Sequence, residues 1–151
     1  MNINNNYYSV AINDLKYALR NINTGFYNKT CVDCHQFVEK VFKHFIVIEC
    51  MDEDPEILKT HNLKKLVRYI NKYKPGFIND ISDIDRLSGF YFEARYPGDS
   101  FFVAGKEDEL VALRAVLVVY RTSLKYLTNI DENDTVDVSI IENYLKDSDI
   151  S

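Results

Sequence analysis

Leu110, Leu113, Leu117, Tyr120, Leu124 and Leu127 recur at intervals of 3, 4, 3, 4 and 3. That spacing lines one side of an α-helix, because 3.6 residues complete a turn, and it fits no strand. The rhythm appears elsewhere. Beginning near Asn6, Tyr8, Ile12, Leu15, Leu19 and Ile22 carry it until Gly25, and Cys31, Cys34, Val38, Val41, Phe45 and Ile48 carry it again, with Phe37, Phe42 and His44 widening the stripe. Leu63, Leu66, Val67, Ile70 and Tyr73 predict a shorter helix with Thr60 as N-cap and Pro75-Gly76 as its end. Ile81, Ile84, Leu87 or Ser88, and Tyr91 predict a fourth, which must finish near Ala94 because Pro97 cannot continue the backbone bonding.

From Gly105, the acids Glu107, Asp108 and Glu109 suit the positive end of the helix dipole that opens the leucine-rich stripe. A last helix is predicted over roughly 138–145, where acidic flanks favour fraying or detachment. No strand alternation, low-complexity tract or internal repeat competes with these helices. Long helices with single apolar stripes bury them best against each other. The expected fold is therefore all-α, an antiparallel up-and-down helical bundle of about five helices spanning 1–127, with an acidic extension over 128–151 that holds a short C-terminal helix.

Size and charge narrow the function classes. With 151 residues, 46% of them hydrophobic, the chain suffices for one core. No apolar run approaches the ~18 residues of a membrane span, so a cytoplasmic protein without membrane association is expected. Three cysteines, an odd number, argue for reduced thiols rather than a disulfide framework. The net charge of −5 is unevenly spread. Residues 128–151 hold seven acids against Lys146 alone, a net of −6, whereas Lys59, Lys64, Lys65, Arg68, Lys72 and Lys74 form a six-charge run with no acid from 57 to 79. Such a run either draws a phosphate-bearing partner or is a solvated helix face.

Few motifs carry chemistry. Cys31-Val-Asp-Cys34-His35 has the form of a c-type haem attachment sequence, but both thiols fall on the apolar stripe with Val38 and Val41, which favours core packing. A zinc site would lack a second ligand pair at suitable spacing, so no metal and no cofactor are expected. The glycines stand singly, which excludes a Walker or dinucleotide loop. What remains is the turn Arg95-Tyr96-Pro97-Gly98. Tyr91 and Arg95 are four apart on one helix face, so the guanidinium is placed to clamp a phosphate while Tyr91 or Tyr96 stacks on a base; alternatively, Arg95 is buried against the last carbonyls of its helix.

Taken in order, Asp14-Leu15 with Ala18, Cys34-His-Gln36-Phe-Val-Glu39-Lys40-Val-Phe-Lys43, Thr60-His61-Asn62-Leu63 with Leu66, and Tyr91-Phe-Glu-Ala-Arg95-Tyr96-Pro97-Gly98 resemble the HEPN family from about Tyr7 to Leu127. The resemblance implies a helical bundle that commonly pairs as a homodimer and binds nucleotides. It also implies a small nucleotidyltransferase as partner in toxin–antitoxin systems, or metal-independent ribonuclease activity. The ribonuclease branch places an Arg ahead of a His with four to six residues between them. Here the histidines are His35, His44 and His61, and none of Arg20, Arg68, Arg86, Arg95, Arg114 and Arg121 stands at that distance. Lys29 lies six before His35 but lacks the planar fork.

The expectation is thus a nucleotide-binding protein without efficient ribonuclease activity and with no assigned catalytic residue. Its groove would be lined by Arg95, Tyr96, Tyr91, His61, Lys65, Gln36 and Lys40. Gln36 and Glu39 could serve a helix interface instead, and His61 could simply cap the third helix. The alternatives are an interaction module that masks a basic partner through the acidic tail, and a divergent ribonuclease whose Arg and His meet across the fold.

Overall fold

The computed structural model describes residues 6–50, 54–95, 103–128 and 130–149, without the side chains of 6, 91–95 and 149. Among the described residues the apolar stripes form six α-helices: α1 (Asn6–Asn21), α2 (Tyr27–Glu49), α3 (Leu63–Tyr73), α4 (Ser82–Arg95), α5 (Lys106–Tyr126) and α6 (Ser139–Asp149). Short 3-10 turns occupy Pro55–Lys59 and Glu132–Asp134. No strand occurs among the described residues, and the fold is an all-α bundle.

The widened stripe on the second segment decides its place. With Phe37, Val38, Val41, Phe42, Phe45 and Ile46 all buried, α2 has no fully solvated side, and α1, α3, α4 and α5 pack around it. Directions follow from cross-helix pairs. The ring of Tyr8, at the start of α1, meets His44, near the end of α2, with centroids 5.6 Å apart, so these helices are antiparallel. Phe37 and Phe45 meet Tyr120 and Tyr126 respectively, so α5 runs with α2. Helix α4 runs against α3, since Ser88 Oγ accepts from the Leu63 N–H and Asp85 faces Lys64. The four longer helices therefore alternate in direction.

Helix α3 departs from simple alternation. Asp54 donates its backbone N–H to Tyr69 Oη, and His61 lies against Glu39, so residues 54–61 run back along the bundle before α3 begins. The cap is not Thr60 as the sequence predicts. Asn62 Oδ1 accepts from the Lys65 N–H at 3.1 Å, while Thr60 Oγ1 accepts from the Asn62 N–H. An Asn carbonyl serves this position as well as a hydroxyl does, and with α3 beginning at Leu63 it is residue 62 that adjoins the first turn. Gly25, at φ +88°, reverses the chain between α1 and α2 in a region costly to other residues. At the start of α5, Asp108 Oδ2 accepts from the Gly105 N–H at 2.8 Å, as its position in the first turn predicts.

Among the described residues, three stripe members lie outside the core: Leu124, Ile48 and Tyr73 are exposed, each near the end of its helix, where the stripe has drifted from the buried face. The tail also differs from expectation. Helix α6 is longer than predicted and docked: Ile141 is fully buried, Tyr144 Oη donates to Glu109 Oε1 at 2.6 Å, and Arg121 pairs with Glu142 at 2.7 Å. Ahead of it, Val136 exchanges two hydrogen bonds with Tyr120 Oη, and Ser9 donates to Asp134. Partners from α1 and α5 offset the acidity that the sequence alone weighs against this segment.

Phe45 packs against Phe77 at 4.8 Å and against Tyr126. Phe45→Ala is expected to cost about 3–5 kcal/mol of stability, whereas Ile48→Ala should stay within about 0.5 kcal/mol, both read from urea denaturation midpoints.

Candidate functional site

One arc of α2 is polar and meets the connector that leads into α3. His35, Gln36, Glu39 and Lys43 fall at spacings of one helical turn, so they share that side. Glu39 is the hub. Its side chain is only 7% exposed, yet it bonds in two directions: Lys43 Nζ donates to Oε2 at 2.9 Å, and His61 Nδ1 lies 3.1 and 3.2 Å from Oε1 and Oε2. His35 Nδ1 stands 3.7 Å from Oε1, too far for a direct hydrogen bond. A carboxylate removed from water in this way requires a cation and hydrogen-bond donors, and α2 supplies the first while the returning connector supplies a second partner.

His61 is therefore not a cap. It stands one residue before the Asn62 N-cap, and Glu39 fixes its Nδ1 side while the side chain as a whole remains 44% exposed. An imidazole oriented by a carboxylate and open to solvent is suited to bonding a phosphate or exchanging a proton. Next to it, Leu63 donates to Ser88 Oγ, which locks the start of α3 onto α4. The backbone of α4 continues past Ser88 as helix to position 95, so positions 91 and 95 follow on the Ser88 face. The side chains of Tyr91 and Arg95, and all of Tyr96, Pro97 and Gly98, lie outside the described residues.

The other predicted residues are distributed as follows. Gln36 is half-buried beside Glu39 on α2. Lys40 faces α1 instead, where its Nζ donates to Asp14 Oδ2 and fastens the two helices. Lys65 is exposed on α3, with no ion pair or side-chain hydrogen bond to Glu39 among the described residues. Neither Glu39 nor Lys43 is among the residues that the sequence alone assigns to the groove. The available signal was the run of four-residue steps His35–Glu39–Lys43, which stacks three ionisable groups on one face.

Elsewhere, burial silences the thiols. Cys31, Cys34 and Cys50 are buried and unbridged, and desolvation pushes the Cys31 thiol up to about 12 and the Cys34 thiol well above its ordinary value. Desolvation likewise raises Tyr8 to about 12, despite its hydrogen bond with Ser123. Among the described residues, no group of three or more His, Cys, Asp and Glu side chains could hold a metal, and no helix is long and apolar enough to cross a membrane. A cavity of about 390 Å³ lies near the start of α1 and the end of α2, lined by Tyr8, Ser9, His44, Ile48, Asp131 and Asp134 among others, and it takes in none of the predicted site residues.

Residues 5–127 match the family profile of the HEPN domain. No curated protein and no solved structure matches the chain.

Glu39→Ala strands the Lys43 ammonium in the interior and is expected to cost about 3–5 kcal/mol; adding Lys43→Met should recover much of that loss in chemical denaturation. Stability should also fall as pH rises from about 9 to 12, because the unfolded chain ionises Cys31 and Tyr8 there while the folded chain keeps both protons until about 12. Cys31→Ala and Tyr8→Phe should flatten that alkaline limb, measured as melting temperature against pH.

Proposed function

The chain belongs to the HEPN domain family, and from that membership we propose that it binds a nucleotide, or the end of a short RNA, at the corner where α2, the start of α3 and α4 meet. The observation that carries this reading is the buried Glu39 carboxylate, which orients the half-exposed His61 and holds Lys43 beside it. His61 and Gln36 supply hydrogen bonds, while Lys43 neutralises Glu39 from inside the bundle. Arg95 would take the phosphate through its planar fork, with Tyr96 or Tyr91 stacking on the base; that positions 91 and 95 share a face of α4 accords with this. Lys40 is withdrawn from this set by its bond to Asp14.

Ribonuclease action in the family's usual manner is not part of the proposal, because no Arg precedes a His by the required four to six intervening residues. The family resemblance further supports a homodimer and a small nucleotidyltransferase as partner. The reading in which the acidic tail masks a basic partner has less support. Asp131 caps the 3-10 turn at Glu132–Asp134, Asp134 accepts from Ser9, and Glu142 pairs with Arg121, so three of its acids already have partners within the chain.

Isothermal titration with ATP, GTP and a short RNA tests the proposal. Binding of at least one of them is expected, weakened tenfold or more by His61→Ala and by Arg95→Ala, which corresponds to about 1.4 kcal/mol or more. Absence of heat with all three ligands on folded protein ends the reading. Cleavage of the RNA by the wild type, lost in both variants, would replace it with the divergent ribonuclease.

A further inference from the structure

The basic run that is continuous in the sequence divides into two sets in the structure. Lys59 pairs with Glu56 at 3.1 Å, Lys64 with Asp85 at 3.7 Å and Lys74 with Glu49 at 3.5 Å. Lys65, Arg68 and Lys72 have no such acid among the described residues, and all three are exposed. They lie on α3 at intervals of three and four, so they form one row spanning roughly 10 Å along the helix. The row is diametrically opposite the buried Leu63, Leu66, Val67 and Ile70, so it points outward from the bundle. Tyr69 and Tyr73 flank it one position on, their rings 5.3 Å apart, with Tyr73 exposed. The acidic connector borders the Tyr69 side, where Asp54 bonds to that hydroxyl.

We propose that this outer face of α3 seats a single-stranded RNA, with its phosphates along Lys65, Arg68 and Lys72 and a base against Tyr73. The proposal rests on the nucleotide-binding reading only for the choice of RNA, and it deepens that reading from a single nucleotide to a strand. Cations left without acids are what a phosphate backbone requires, since binding displaces counterions from each contact. The exposed ring favours RNA over an acidic protein, because a base has a face to stack and a carboxylate does not. His61 stands two residues before α3, and Lys65 begins the row about one turn further on, so a strand lying on the row leads toward the Glu39–His61 corner.

Fluorescence anisotropy with a labelled 12-nucleotide RNA tests this across a series of salt concentrations. The Lys65→Ala/Arg68→Ala/Lys72→Ala variant should lower the slope of log affinity against log salt by about 2, at about 0.7 per lost phosphate contact. Lys146→Ala on α6 should leave the slope unchanged. Tyr73→Ala should weaken RNA about fivefold and leave poly-glutamate unaffected. The substituted side chains are exposed, and circular dichroism verifies the fold. An unchanged slope in the triple variant overturns the proposal, as does poly-glutamate binding as tightly as RNA. Mononucleotide titration separates the two readings: if nucleotides fail to bind while the slope falls as expected, the corner is wrong and the row stands, and the converse pattern removes the row alone.

Discussion

Burying most of α2 while it carries Glu39, Lys43, Asp33 and two histidines is the constraint that the other elements answer. An ionised group inside a protein is tolerated only with a counter-charge and filled hydrogen-bonding positions. Lys43 and His61 meet that demand for Glu39, and Lys29 meets it for Asp33 at 2.8 Å. Burial still raises the Asp33 carboxyl, more than the Lys29 bond lowers it. The connector doubles back because its His61 must reach Glu39, and α3 consequently starts where it does. The polar corner is thus a requirement of the packing as well as the place where ligand chemistry is available.

The fold was legible because periodicity records burial. The stripes on α1 and α3 place those helices within about two residues of their observed ends, and Gly105 with the acids after it does the same for the start of α5; α2 begins at Tyr27, four residues before its first stripe member Cys31, and members near helix ends such as Leu124 and Ile48 lie outside the core. The path of residues 54–61 was not legible, since no local pattern encodes a tertiary pairing between His61 and Glu39. The same limit applies to α6, whose acidic composition argues against docking until Arg121 and Glu109 of α5 are placed next to it, the first against Glu142 and the second against the Tyr144 hydroxyl.

The site was half legible. Gln36 and His61 lie on or beside the corner, and both belong to the marks that resemble the HEPN family. Lys40 carries the same mark yet serves the α1–α2 seam, because its position is about a hundred degrees around the helix from Glu39. Glu39 was undervalued because sequence shows a charge without its depth. The basic run shows the opposite fault: six cations look equivalent in a string, and only their acids in space sort them into paired and open sets.

The segment after α5 has a mechanical consequence. Asp134 and Asn133 hold Ser9 and Lys16 of α1, and Tyr8 bonds to Ser123, so contacts more than a hundred residues apart in the chain close over the outer helix. Helix α1 is therefore latched from both directions, and it cannot peel from the bundle unless the far end of the chain lets go. Contacts with such long separation form late and slow the search for the native state, which makes this hasp a natural last step in assembly and a natural first point of opening.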